Sequence, residues 1–314
     1  MTGYIMDSRG RAHLLPALLS WDVSHTTGRD SGSFSVSFLY EEAMLPVLKQ
    51  ACRFRGYHDG ETVFYGVVDR YVVTCDGRGR LVKLQGRSLA ALLMDNEAES
   101  GDYYNVDLEY ILRRHVTPWG VTDVAPAAAK PLARFTVRSG QSEWSVLREY
   151  LEFSGGFTPR FTPEGRLLCD GSQGGRTVVI GGGTPVVAAE FADDRCGVIS
   201  QMLVKKTRGG SGVVENPGFI ARGGCARQVL NVPRYLSYDA MRYTGEYQIR
   251  KSREDSVTLT LTVPELFAAF AGDTVRLDKS PVGLTGRFRV AGSRCWAAGE
   301  QYGTELTLSV WEEW

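Results

Sequence analysis

The stretch GVVDRYVVTCDGRGRLVKLQGRSLAALLMDN, residues 66–96, decides how this chain folds. The run from Thr62 to Thr74 is rich in β-branched and aromatic residues, which is typical of a long strand. Residues 76–79, DGRG, accept the left-handed backbone of a tight hairpin, and residues 80–85 then alternate as a return strand. Ser88 follows as a helix cap, because its hydroxyl can accept a hydrogen bond from a first-turn N–H. The stretch therefore predicts a β-hairpin followed by an apolar helix.

The segments around this hairpin favour a mainly β fold with one α+β insertion. Ser33 to Leu39 alternates polar and apolar residues, and Glu41 to Cys52 is either a short helix or a loop broken by Pro46. Farther along, Ser142 caps a predicted helix that carries Trp144, Leu147 and Leu151 on one side. We expect this helix to pack in a compact unit of strand, helix and hairpin within residues 133–170.

The C-terminal half returns to β patterning. Strands are predicted over residues 186–191, 199–206, 256–263, 273–277, 286–296 and 303–311, and a helix over 238–251. Thr207 to Gly224 is rich in glycine and predicts a long mobile loop that becomes ordered only against a partner, where buried apolar area offsets the lost entropy.

The hairpin has an internal echo near the C-terminus. Residues 64–85 and 286–309 each show an aromatic residue with a glycine, a long strand, a glycine-containing turn and an alternating return strand. We interpret this echo as two similar β-barrel domains, 1–95 and 176–314, separated by an insertion at 96–175. Chance similarity of two hairpins is the alternative, and two hairpins in one shared sheet would contradict the duplication.

Composition excludes several classes of function. The chain has 36 basic and 36 acidic residues and no net charge, so it lacks the general attraction to nucleic acid or anionic membrane of a basic protein. Its six cysteines form no Cys-x-x-Cys pair, and its four histidines are scattered, so neither a zinc site nor a disulfide framework is predicted. The N-terminus lacks the pattern of a signal peptide, and no apolar run is long enough to span a membrane. We expect a soluble protein that binds no cofactor, metal or nucleic acid and does not insert into a membrane.

No catalytic motif emerges from the residues. Ser211 lacks the glycine spacing of a nucleophile elbow, and GGGT at 181–184 is not followed by the lysine of a phosphate loop. The adjacent carboxylates Glu41/Glu42 and Asp193/Asp194 do not by themselves supply the facing geometry of a glycosidase, because neighbours on a strand point to opposite faces. We predict no catalytic residues and no enzymatic activity.

Three segments together resemble the phage tail baseplate-hub family, the late control protein D-like hubs of contractile tails and tail-like bacteriocins. The first, 63–99, has an aromatic residue, a glycine, a strand ending in Asp-Gly, a return strand ending in glycine, and a Ser-capped LAALLMDNEA helix. Residues 135–168 look like the small LysM-like α+β module of these hubs, and 270–296 look like their closing barrel strands. The glycine-rich segment 207–224 departs from the family pattern.

This resemblance implies a structural role in the virion tail baseplate or a tail-like particle, made in the bacterial host cytoplasm. Hubs of the family are homotrimers whose six similar barrels match a sixfold tail tube to a threefold central spike. The resemblance thus implies the tube protein, the spike protein and other baseplate or tape-measure proteins as partners. A peptidoglycan hydrolase and a glycan-binding tail protein are the alternatives, the latter because LysM units bind amino-sugar polymers.

Overall fold

A computed structural model describes residues 1–27, 32–77, 79–172, 174–181, 183, 185–254 and 256–310 of the chain. The strands are β1 Thr2–Met6, β2 Ala12–Leu14, β3 Leu18–Thr26, β4 Ser33–Leu39, β5 Arg53–His58, β6 Glu61–Asp76, β7 Gly79–Ser88, β8 Gly101–Val106, β9 Val124–Ala125, β10 Leu132–Val137, β11 Arg160–Phe161, β12 Leu167–Leu168, β13 Thr177–Ile180, β14 Ala188–Asp193, β15 Gln201–Lys206, β16 Ser211–Glu215, β17 Arg227–Val232, β18 Val257–Val263, β19 Thr274–Leu277, β20 Gly286–Ala298 and β21 Gln301–Val310. The helices are α1 Met44–Leu48, α2 Ala91–Met94, α3 Leu108–His115, α4 Glu143–Gly155, α5 Pro217–Ala221 and α6 Tyr238–Glu254, with a 3-10 turn at Thr117–Trp119.

A 13-stranded sheet forms the body of the protein. Its main path runs β14-β18-β21-β20-β3-β4-β7-β6-β5-β1-β2, with β19 beside β20 and β13 beside β19. The predicted hairpin is present as β6 and β7, and β4 has the predicted bounds. The expectation of a mainly β fold with a helical insertion is therefore confirmed.

The two hairpins of the internal echo lie in this one sheet, which is the arrangement that we expected to contradict the duplication. β20 pairs with β3 over seven residues, from Gly292 opposite Thr26 to Ala298 opposite Ser20. This pairing places the β20–β21 hairpin in the same sheet as the β6–β7 hairpin. At this junction the sheet runs without a break from one half of the chain to the other.

The strand order nevertheless repeats within the sheet. The order β3-β4-β7-β6-β5 is matched by β14-β18-β21-β20-β19, and each set follows the same order along the chain. Both long strands carry an irregularity at the same point of their hairpin, at Asp69 in β6 and at Ala291 in β20. The sheet therefore consists of two units of equivalent topology joined edge to edge.

Each unit has its own hydrophobic core on one side of the sheet. The first core is built around Phe34, Phe54 and Phe64, and the second around Leu261 and Leu306. The alternation of apolar and polar residues along each strand places the apolar residues on this buried side, as the period of a strand requires.

The insertion has a third core that extends beyond 96–175. Trp144, Leu147 and Leu151 of α4 are buried, as predicted. The same core also contains Met202 on β15 and Met241 on α6. Residues 96–175 are therefore not self-contained, because part of the segment assigned to the second barrel completes their core. The LysM-like character of this module stays a prediction.

The segment predicted as a long mobile loop contains regular structure. Within 207–224, β16 pairs antiparallel with β15, and α5 follows with Asn216 as its cap. β17 pairs with β15 on the other side, giving a three-stranded sheet against which α6 packs. The glycine-rich sequence did not predict a strand here, because the strand is stabilised by its pairing with β15 and not by its own residues.

The helix that follows the first hairpin is shorter than predicted. It spans only Ala91–Met94, although the Ser88 hydroxyl does accept a hydrogen bond from the Ala90 N–H at 3.4 Å. The side chain of Asn96 donates to the Leu92 carbonyl at 2.7 Å and so ends the helix. The predicted cap of the later helix is observed, with Ser142 accepting from the Ser145 N–H, and Asp107 caps α3 by accepting from the Tyr110 N–H.

Candidate functional site

The side of the sheet opposite the two barrel-like cores is a continuous polar surface, here called the polar face. The strand registers place one row of alternate residues from each strand on this side, and most of them are exposed or half-buried. The polar face comprises Glu190, Thr258, Thr260, Thr262, Glu305, Thr307, Arg294, Trp296, Ser20, Asp22, Ser24, Ser33, Ser35, Ser37, Lys83, Gln85, Arg87 and Arg70.

Short hydroxyl side chains dominate the polar face, and its charges have both signs. Serine and threonine fill the central positions of β3, β4 and β18. Such a surface stays hydrated and presents no charge field of one sign, and its apolar pair, Leu39 opposite Leu81, lies at one end of β4 and β7.

The polar face is concave where the two units join. A depression of about 760 Å³ lies there, lined by residues of β3, β4, β6, β7 and β20. On its floor the Arg294 guanidinium pairs with Asp22 across the β20–β3 junction at 2.6 Å, which raises the pKa of Arg294. Arg294 also lies over the ring of Trp296, 5.7 Å from its centre.

A second cluster of charged side chains stabilises β6 at its irregularity. Arg87 on β7 donates to Asp69 at 2.7 Å and to Asp95 at 2.6 Å. These hydrogen bonds raise the pKa of the guanidinium, and the bond to Arg87 lowers the pKa of Asp95. Arg87 thereby ties the bulged strand to the chain that follows α2. Sequence reasoning missed this group, since only the register of β6 on β7 brings Asp69 to Arg87.

Among the strand edges that lack a neighbour in the described part of the chain, two lie at opposite ends of the paired units. β14 pairs with β18 on one side only. Residues 70–75 of β6 pair with β7 on one side, while pairing with β5 ends at Val67. Each edge carries an exposed apolar residue, Phe191 on β14 at 44% exposure and Val73 on β6 at 39%.

The structure does not bring the acidic pairs together into a site. Glu42 forms an exposed ion pair with Arg80 at 3.4 Å, and Asp193 forms one with Arg195 at 3.2 Å. The Asp194 carboxylate accepts from the Cys196 N–H in a local turn. Each of these three has a local partner near its own part of the sheet, which is the arrangement of surface carboxylates.

Two buried histidines are held by structural contacts. His25 lies among the rings of Phe64 and Phe270, where burial lowers its pKa to about 4, and its Nε2 contacts the Val63 carbonyl at 2.9 Å. A cavity of about 20 Å³ beside it has room for about one water molecule. His115 Nδ1 contacts the Glu143 carboxylate at 2.6 Å inside the insertion core.

Two other kinds of feature, a metal cluster and a membrane-spanning helix, have no counterpart among the residues that the structure describes. In the described part of the chain, no group of three or more His, Cys, Asp or Glu side chains is arranged to hold a metal ion. Among the same residues, no helix combines the length and apolar character needed to cross a membrane.

Solved structures with this fold are phage tail proteins and relatives of tail baseplate proteins. A tail protein from Neisseria meningitidis MC58 matches with a TM-score of 0.76 and 18% identity, over 99% of this chain and 97% of that one. The 43 kDa tail protein of prophage MuSo2 from Shewanella oneidensis matches with a TM-score of 0.77 and 16% identity, over 98% of each chain.

A third match comes from a secretion system. The E. coli c3393 protein, a type VI secretion component with structural similarity to the T4 tail proteins gp27 and gp5, has a TM-score of 0.64 and 12% identity, over 94% of this chain and 74% of that one. No family model and no curated protein matches the sequence. The fold of this chain is thus the fold of phage tail and baseplate-like proteins.

Proposed function

We propose that this chain, which has the fold of phage tail proteins, is a structural hub of a phage tail or tail-like contractile particle. Three copies form a ring that adapts a sixfold tail tube to a threefold central spike. The observation that carries this proposal is the repeat of strand order within one sheet. Two equivalent units per chain give a threefold ring six equivalent positions, which is the number a sixfold tube requires.

The polar face is the proposed lining of the ring. It is concave and continuous across both units, whereas the other side of the sheet is covered by the cores. A lining of serine, threonine and mixed charges leaves the channel wet and without strong affinity for a polymer moving through it. The tail tube, the spike, and other baseplate or tape-measure proteins are the partners of this proposed ring.

The mass of the assembled protein tests the ring. Light scattering on the purified chain over a range of concentrations should reach three times the chain mass of 34.6 kDa. Image averaging of particles that contain the chain should show threefold symmetry at its layer. A chain that stays monomeric in solution and is absent from the particle axis would contradict the proposal.

We propose no catalytic role for the chain. The carboxylates singled out by the sequence lie in local surface contacts, and the cavity beside His25 is too small for a substrate. Purified protein added to bacterial cell walls should leave their turbidity unchanged. A fall in turbidity that Glu42→Gln or Asp193→Asn abolishes would establish the hydrolase alternative instead.

A further inference from the structure

The junction between the two units shows how one unit's edge is covered by the next. The second half of β20 pairs antiparallel with β3, and Cys295 lies directly opposite Val23. Both side chains are buried, at 2% and 0% exposure. The contact combines backbone hydrogen bonds along seven residue pairs with a small apolar pair at its centre.

The registers map this junction onto the two free edges. The irregularities at Asp69 and Ala291 align β6 with β20, so Val73 is equivalent to Cys295. The registers from the aligned irregularities make Val36 of β4 equivalent to Leu261 of β18. Trp21 lies opposite Val36, and Ala189 lies opposite Leu261. β14 is therefore equivalent to β3, and Phe191 is equivalent to Val23.

Each free edge is therefore one half of a contact that the chain already makes internally. The free edge of β6 is equivalent to the edge of β20 that pairs with β3. The free edge of β14 is equivalent to the edge of β3 that pairs with β20. Their central residues are apolar and exposed, as Val73 and Phe191. Unpaired edges with exposed apolar residues invite pairing with another chain.

We propose that residues 70–75 of β6 pair antiparallel with β14 of a second copy of this chain, with Val73 opposite Phe191. The inference rests on the proposed ring and names its contact. In the same register Arg70 lies opposite Asp194, so a basic and an acidic side chain meet at one end of the pairing.

The proposed contact is heterologous, because the two edges are different surfaces of the same chain. Contacts of this kind produce a closed ring when the rotation closes, and the β6 and β14 edges are then covered in every copy. Each copy offers one edge of each type, so neither β6 nor β14 keeps a free edge in the ring, and the outer edges of β2 and β13 take no part in the contact. The junction between chains then repeats the junction within each chain.

Disulfide trapping tests the register. The exposed cysteines Cys75, Cys196 and Cys225 are first replaced by serine, and V73C and F191C are then combined in the full chain. Mild oxidation should give covalent dimers and trimers that a reductant reverses. The matched control combines V73C with A192C, whose side chain leaves the opposite face of β14, and should give only background cross-linking.

The mass of each variant before oxidation separates the two proposals. A trimer whose V73C/F191C form cross-links no better than the control overturns this pairing and leaves the ring intact. Specific cross-linking that yields open chains instead of trimers supports the pairing and overturns the threefold ring. A chain that neither assembles nor cross-links contradicts both.

A second variant tests the edge without cysteines. V73K places a charge at the centre of the proposed contact and should convert trimer to monomer, while the far-ultraviolet circular dichroism stays that of the parent chain. The control is V229K, the same substitution at an exposed valine of β17, 52% exposed and away from both edges. Loss of assembly in V229K, or an intact trimer in V73K, would overturn the inference.

Discussion

At the scale of single residues, two glycines explain the aromatic-and-glycine pattern of the first hairpin. A Cβ at Gly86 would overlap the Val67 carbonyl oxygen and lie 2.5 Å from the ring of Phe34. A Cβ at Gly66 would overlap the carbonyl of Arg87 in the same way. Phe34 cannot move aside, because its ring stacks on Phe54 with centres 4.1 Å apart. The absence of side chains at these glycines lets the strands approach at the bulge while the rings fill the first core.

Gly86→Ala should therefore strongly destabilise the protein. Backbone and a stacked ring both oppose the added methyl, so we expect the free energy of unfolding to fall by about 3 kcal/mol. Urea unfolding followed by circular dichroism measures the loss. Gly101→Ala is the control, since a Cβ there meets nothing within 4 Å and the substitution should change stability little. Equal effects of the two substitutions would contradict the steric explanation.

Glu152 makes the stability of the insertion depend on pH. Burial raises the pKa of its carboxyl from 4.5 to about 7, although the Gln248 side chain donates a hydrogen bond to it at 3.2 Å. Between pH 4.5 and 7 the unfolded chain therefore releases a proton that the folded chain retains. The contribution of this residue to stability consequently falls as pH rises through that window and is constant above it.

Glu152→Gln should remove this pH dependence while keeping a partner for Gln248. We expect the variant to match the parent near pH 4.5 and to exceed its unfolding free energy by about 2 kcal/mol at pH 8. Urea titrations at half-unit intervals of pH give the difference curve, with Glu300→Gln in an exposed turn as control. A difference that does not grow with pH would contradict the raised pKa.

At the scale of elements, α4 shows how local signals and tertiary packing combine. Its first turn is capped by Ser142, whose hydroxyl accepts from the Ser145 N–H at 3.2 Å. Its end is set by Gly156, which has a left-handed backbone with φ of 69°. The helix between these caps packs on α3 and α6, so its position holds together both parts of the insertion core.

Ser142→Ala should weaken this element by removing the acceptor at its first turn. We expect a loss of about 1 kcal/mol in unfolding free energy, the usual cost of deleting a cap. Ser142→Asp keeps an acceptor at the same position and should retain most of the parent stability. Thermal and urea unfolding of the two variants measure the contrast, and an alanine variant as stable as the aspartate variant would show that the cap contributes nothing.

At the scale of the whole molecule, the continuous sheet couples two cores that do not share their main residues. β20 contributes Cys295 to the first core and Val290 to the second, and it pairs with both β3 and β21. A strand that belongs to both cores should transmit a loss of packing in one to the other. We therefore expect the two units to unfold together.

Leu306→Ala tests this coupling. Leu306 is fully buried in the second core, and its truncation should cost about 2–5 kcal/mol. Hydrogen exchange under native conditions should then accelerate in peptides of β4 and β7, in the first core, as well as in β18 and β21. Acceleration confined to the second core would show that the units open independently. The surface variant Thr260→Ala, on the polar face, serves as the control.

The sequence by itself determined the features of this protein that depend on neighbouring residues. Alternation predicted β4 with its observed bounds, the turn residues predicted the β6–β7 hairpin, and Ser142 predicted the start of α4. These follow from local causes, because the period of a strand, the conformational freedom of a turn and the acceptor of a cap act within a few residues. The alternation also implied that the strands have a polar side.

Only the tertiary structure decided which of these elements adjoin. Pairing of β20 with β3 joins residues near opposite ends of the chain, and pairing of β16 with β15 gives order to a glycine-rich segment. Edge pairing depends on which cores form and which strands they bring side by side, and no local pattern encodes that choice. For the same reason the polar face as one surface, and the free edges of β6 and β14, became visible only when the whole sheet was assembled.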